Sequence, residues 1–226
     1  MKKWLEKVDW IYVIVPLALL GTFWVIAAFT GQWPWQSNPY NSYALQTDSW
    51  LKGRLDLGQN YEWLELAIYQ GKYFVSFPPF PSYVLIPFVV LFGTNTPDHF
   101  IALVVTIIGC IYAVKLYRET SAEKQHSLFW VLMLYFASGY LFVGMNGYVW
   151  FIAQSMSFTL SLMALYYTLR NKGGLALTFW ACAVGCRPML ALYGILLGYL
   201  LVKGYKKENP KGTVWQLVKD LSLIHI

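Results

Sequence analysis

The sequence predicts an all-α polytopic membrane protein with about five to six membrane-inserted helices plus surface helices in the first loop. Three observations carry this. Of the 226 residues, 58% are hydrophobic, 19% aromatic and 12% charged, whereas soluble domains carry roughly a quarter charged residues. Apolar runs recur at close to the ~20 residues that a helix needs to cross a bilayer core. Lys and Arg gather at particular ends of those runs, which is the signal that sets orientation. With that distribution, the net charge of +6 points to a bilayer and not to nucleic acid.

The first run, residues 10–30, follows Lys2, Lys3 and Lys7 and precedes Trp33 and Trp35. Lysines before it and none soon after put the N-terminus in the cytoplasm and the loop 31–81 outside, in a cytoplasmic (plasma) membrane. The run is longer than a signal-peptide core and no small-residue cleavage site follows it, so it reads as an uncleaved anchor. Within the loop, residues 43–55 and 61–69 combine Trp, Tyr and Leu in patterns that suit two short helices on the membrane surface. Gly53, Gly58 and Gly71 punctuate them.

Pro78, Pro79 and Pro81 open an apolar segment at 82–92. It is too short to span in the usual way, so it reads as a half-inserted or interfacial helix, with a short crossing of a thinned bilayer as the alternative. The run 100–117 ends in Lys115 and Arg118, with Lys124 following. A cytoplasmic end there requires an even number of crossings between Pro81 and Asp98, most simply zero. Residues 127–143 then lead outward, Gly147 and its neighbours turn, and 150–169 returns to Arg170 and Lys172. The last long run, 175–202, is interrupted by Arg187 and Pro188 and closed by Lys203, Lys206, Lys207 and Lys211. Two short segments meeting at Arg187 near the outer face satisfy the charge rule; a single span would put the lysines outside. The final LSLIHI has a back-translation identical to a widely used transposon-library sequencing adapter. Residues 221–226 are therefore expected to be adapter-encoded, and 1–220 to be one membrane domain, a fragment of a longer one.

Chemistry concentrates in few places. Cys110, Cys182 and Cys186 fall inside apolar runs and are odd in number, so they read as buried small hydrophobes without a disulfide framework. His99, His126 and His225 are isolated, and the sequence holds no P-loop, GxSxG or dinucleotide fingerprint. The first loop, by contrast, carries Asp48, Asp56, Glu62 and Glu65, four of the eleven acidic residues, beside Lys52, Arg54 and Lys72. A carboxylate at the membrane surface can act as general base toward a hydroxyl or bind a divalent cation through its oxygens. A neighbouring Arg can neutralise a phosphate with its bidentate fork. Asp48 and Asp56 flank Arg54 closely enough for one site. The competing reading makes these charges a solvated surface with local ion pairs. Arg187, inside an apolar run, marks a functional site unless it snorkels to the outer interface.

This arrangement resembles the GT-C class of membrane glycosyltransferases, the dolichyl-phosphate-mannose and undecaprenyl-phosphate-sugar transferase group. The resemblance rests on the cytoplasmic N-terminus, the long first outer loop, and GKYFVSFPPFPSYVLIPFVVLFG, with its Pro78-Pro79 pair and Phe92-Gly93 ending. The stretch GCRPMLALYGILLGYLLV, which holds Arg187, is similar to a broken pair of helices in that family. The resemblance covers the chain to about residue 205. It implies inverting transfer of a sugar from a polyprenyl-phosphate donor to an acceptor of unknown identity outside the membrane. The family's catalytic acid usually follows the first span; here that zone reads SNPYNSY, with Asn38 near the expected place, and Asp48 is the first acid after the span. The candidate catalytic residues are accordingly Asp48 and Asp56. Arg54, Lys72, Tyr73 and Arg187 are the candidate substrate ligands, and Asp48 the candidate ligand of Mg or Mn. A non-catalytic scaffold or transport-related protein is the alternative, although few polar residues (Asn146, Gln154, Arg187) interrupt the spans.

Overall fold

The computed structural model describes residues 9–213 and 215–217. Lys2, Lys3 and Lys7, used above for orientation, lie outside that range, as do residues 221–226, read above as adapter-encoded. Four helices are long and apolar enough to cross a membrane among the described residues: Ile11–Thr30, Asp98–Thr120, Val149–Leu169 and the composite Pro188–Glu208. Together with the near absence of strands, they mark an α-helical membrane protein.

The first helix, α1 (Ile11–Thr30), ends at Gly31 in the left-handed conformation, with the Gly31 N–H returning to the Ala27 carbonyl. It buries Val15, Leu19 and Phe23 and leaves Ile14, Leu17, Trp24, Val25 and Phe29 exposed, the distribution of a helix at the rim of a bundle facing lipid. In the outer loop, α2 (Ser42–Leu51) forms where the first surface helix is expected. The second expected helix is absent. Residues 61–69 instead lead into a hairpin of β1 (Leu66–Tyr69) and β2 (Lys72–Val75), antiparallel with Leu66 opposite Val75 and Tyr69 opposite Lys72. The physical reason lies at the turn: Gln70 and Gly71 both have positive φ, 49° and 72°, the geometry of a two-residue turn whose twist matches the flanking strands.

Helix α3 (Phe80–Phe92) follows the Pro-Pro pair and ends in a 3-10 turn at Gly93–Asn95. Its 13 residues reach only ~20 Å. It packs on α2 through a buried polar seam: the Thr47 hydroxyl donates to the Ser82 carbonyl (2.8 Å) and the Ser82 hydroxyl to Gln46 Oε1 (2.6 Å). Next come α4 (Asp98–Thr120), α5 (Ser127–Phe136), α6 (Tyr140–Met145) and α7 (Val149–Leu169).

The expected single run 127–143 is thus broken. Ser138 Oγ donates to the Leu134 carbonyl (2.6 Å) and accepts from the Tyr140 N–H (3.1 Å), so one hydroxyl closes α5 and starts α6, replacing the ladder at that point. The α4–α7 pair is among the most extensive in the bundle. Small polar groups allow it: Thr159 Oγ1 donates to the Val105 carbonyl (3.1 Å), and Gly109 has no room for a Cβ against Thr159, while Thr106 Oγ1 ties α4 to α6 through the Gly144 carbonyl (2.8 Å).

The last run is broken at the expected residue. Helix α8 (Gly173–Cys186) stops at Arg187, which is extended (φ −142°, ψ 104°), and Pro188–Leu192 forms a 3-10 segment before α9 (Tyr193–Glu208). Arg187 bonds to Trp150 at the start of α7, while Glu208 and Gly204 meet Asn171 just past its end. Helices α8 and α9 therefore run up and down beside α7, with the break at the Trp150 end. The buried core divides along the bundle. Tyr43, Leu85, Ile101, Ile152 and Cys186 fill the end that holds the loop, and Val15, Leu19, Cys110, Val131 and Tyr135 fill the other.

Candidate functional site

The loop end is assembled by polar contacts from residues far apart in sequence. The Phe100 N–H donates to the Pro34 carbonyl (3.1 Å), the Val149 N–H to the Tyr40 carbonyl (3.2 Å), and Asn41 Nδ2 to the Thr94 carbonyl (2.8 Å). These bonds press residues 34–41 onto the first turns of α4 and α7. At their centre sits Asn38, 5% exposed. Its Nδ2 donates both to Asp98 Oδ2 (2.8 Å) and to the Gly147 carbonyl (3.2 Å), and its Oδ1 accepts from the Tyr40 N–H (2.8 Å). Position 38 therefore needs two donors, which an amide supplies and a carboxylate cannot. The acid of this zone comes instead from α4: Asp98 is 2% exposed, lies in the first turn of its helix, where a carboxylate suits the dipole, and is closed off from solvent. His99 completes the cluster, its Nδ1 accepting from the Gly147 N–H (3.2 Å).

Asp48 and Arg54 do share a cavity, of about 380 Å³, lined also by Ser49, Lys52, Leu57, Gln59, Tyr61 and Thr94. Asp48 is paired there with Lys52, four residues on, at 2.6 Å. Asp56 turns elsewhere: one oxygen accepts from the Gly58 N–H (3.1 Å) and the other lies 4.0 Å from Lys72 Nζ. Tyr73 is half-buried in β2, and its carbonyl accepts from the Leu57 N–H (2.8 Å), so backbone rather than phenol ties it to the loop. Asp48, Asp56 and Arg54 are thus neighbours, but only Asp48 and Arg54 line one cavity. A divalent cation fits poorly here, because the Asp48 carboxylate already meets a lysine and the cavity adds Arg54 in place of further acids. Among the described residues no group of three or more His, Cys, Asp or Glu is arranged to hold a metal.

Arg187 lies in different surroundings. Its Nη2 donates to the Trp150 carbonyl at 2.6 Å, and its Nε is buried with no partner among the described residues. Close by, the Tyr43 hydroxyl is likewise buried and unpartnered. Burial drives that hydroxyl well above its ordinary pKa, with Arg187 opposing the shift, so it stays neutral and able to donate. Phe77 stands edge-on to both Tyr43 (6.4 Å) and Trp150 (6.3 Å). The Trp150 indole donates to Glu65 Oε2 (3.3 Å), which brings an exposed carboxylate to the Arg187 break.

Tyr43 and Asp48 are five residues apart on α2, roughly 140° around the helix, so Asp48 and Arg187 line opposite sides of it. Tyr43 and Trp150 did not stand out in the sequence, and Glu65 did so only as one of four loop acids. The long first loop and the α7 start carry no spacing that announces them, and only the hairpin brings Glu65 to Trp150. No family model, curated protein or solved structure matches this chain.

Proposed function

We propose that this chain is the membrane portion of a GT-C-like glycosyltransferase that moves a sugar from a polyprenyl-phosphate donor to an acceptor at the extracytoplasmic face. One observation carries the reading: Arg187 Nε and the Tyr43 hydroxyl are both buried without partners among the described residues, at the end of the bundle that holds the polar loop. An unsatisfied buried donor costs ~1–3 kcal/mol, and phosphate oxygens are acceptors of the kind that such donors need.

In this reading the donor phosphate sits against Arg187 and Tyr43. A carboxylate takes the proton from the acceptor hydroxyl as its oxygen attacks the anomeric carbon. The bond from that carbon to the phosphate oxygen breaks with inversion, and Arg187 neutralises the departing polyprenyl phosphate. Glu65 is the carboxylate nearest in connectivity to Arg187, through Trp150. Asp48, the candidate from the sequence, would serve if the acceptor occupies the Arg54 cavity. No step is routed through a divalent cation.

The membrane-inserted set in this reading is five to six helices: the four long ones and the broken α5–α6 pass, with the short α8 as the sixth. The N-terminus is cytoplasmic, loop 31–81 is extracytoplasmic, and the membrane is the plasma membrane. Support for this orientation comes from charge, since Arg118, Lys124, Arg170, Lys172 and Lys203 to Lys211 gather at the end away from the loop. A non-catalytic scaffold or transport-related protein has one observation in its favour, the amide at position 38 where the resembling family carries an acid.

The test is sugar transfer from undecaprenyl-phosphate-sugar donors by the protein in proteoliposomes. Arg187→Gln is expected to reduce turnover by about 100-fold or more, and Glu65→Gln or Asp48→Asn by ~10²–10⁴-fold according to which is the base. Unchanged turnover in all three variants would remove this site from the mechanism.

A further inference from the structure

The end of the bundle away from the loop holds a cavity of about 310 Å³ lined by Tyr12, Lys115, Arg118, Glu119, Lys124 and Tyr166. These residues come from α1, α4, the turn after α4 and α7, so three membrane helices and a connection meet there. Two of its four charged residues are already paired. Arg118 pairs with Asp9 and donates from Nε to Ser127 Oγ (3.2 Å), and Glu119 pairs with Arg170 at 3.4 Å.

Two cations are not neutralised by any carboxylate among the described residues. The Lys115 ammonium lies over the rings of Tyr112 (4.6 Å) and Tyr166 (5.8 Å). Lys124 is exposed and has no ion pair among the described residues. Lys115 lies more than one helical turn inside the end of α4, so its stem runs along apolar surface while its head reaches the interface.

We propose that this pocket binds the phosphodiester headgroup of an anionic phospholipid. A basic pocket between membrane helices at headgroup level has the geometry such lipids recognise. Tyr12 and Tyr166 line the same cavity, and a tyrosine hydroxyl is a further donor for a phosphate oxygen. The flanking surface decides for a lipid over a free phosphate: α5 exposes Phe129 and Trp130 shortly after Lys124, an apolar track along which an acyl chain lies. The proposal does not depend on the transferase reading.

The test is titration of the full chain in phosphatidylcholine nanodiscs with phosphatidylglycerol, bound lipid being read by native mass spectrometry. Wild type and Lys115→Arg are expected to retain phosphatidylglycerol, and the double variant Lys115→Gln/Lys124→Gln to bind it about 30-fold more weakly. Equal retention of phosphatidylcholine and phosphatidylglycerol by wild type overturns the proposal, as does undiminished binding by the double variant. Displacement of the lipid by millimolar inorganic phosphate overturns the lipid as the ligand. Lys115→Arg also reports folding, because it keeps the charge and changes only the headgroup geometry of the side chain.

Discussion

At the scale of single residues, the chain separates its acids by environment. Asp98 is buried and held by Asn38, Asp48 is answered by Lys52, and Glu65 is exposed at the Arg187 break. The sequence marks Asp48, Asp56 and Arg54 by proximity along the chain, and that proximity survives in part. It does not mark Tyr43, whose significance comes from a missing partner that only packing creates. Asn38 shows the limit most clearly. In the sequence it reads as an acid replaced; in the fold it is a two-donor bridge between the loop, α4 and the turn before α7. Asn38→Ala leaves the Asp98 oxygen without that donor and is expected to destabilise the protein by ~1–3 kcal/mol. Gly147→Ala should cost a similar ~1–3 kcal/mol, because its Cβ would run into the Asp98 and His99 backbone. Thermal unfolding in detergent checks both, and midpoints equal to wild type would show that the loop does not depend on this junction.

Among the elements, the apolar runs were legible because length against bilayer thickness fixes them, and α1, α4 and α7 appear where the runs are. The break at Arg187 was legible too, since Pro188 and the terminal lysines disallow one continuous span. Two elements were not read correctly, for different reasons. In the hairpin, LAIY and KYFV are rich in β-branched and aromatic residues around a Gln-Gly turn, a strand signal that the Trp and Leu of the preceding segment overrode. In α5–α6, a single serine redirects the backbone, and Ser138 looks like any other polar residue in an apolar run. Gly71→Val forces a β-branched residue to φ 72°, a strain of roughly 1–2 kcal/mol. Amide exchange across Leu66–Val75 is expected to accelerate while α4 and α7 stay protected. Unaltered exchange in the hairpin would mean that the turn does not hold it.

For the whole molecule, the arrangement is polarised along the bundle. One end carries the loop, the Pro-Pro helix, the Asn38 junction and Arg187, joined by the contacts of Trp150 and Tyr43. The other carries Arg118, Arg170, Lys172 and the closing lysines, linked through Asp9, Glu119 and Asn171. Both the transferase reading and the lipid pocket require these ends to face opposite sides of the membrane. Single cysteines introduced at the exposed positions Gln59 and Lys206, with Cys110, Cys182 and Cys186 replaced by alanine, test that directly through a membrane-impermeant maleimide applied to intact cells. Gln59→Cys is expected to be labelled from outside and Lys206→Cys only after the membrane is permeabilised. Labelling of both from the same side, or of Lys206→Cys alone in intact cells, contradicts this polarity.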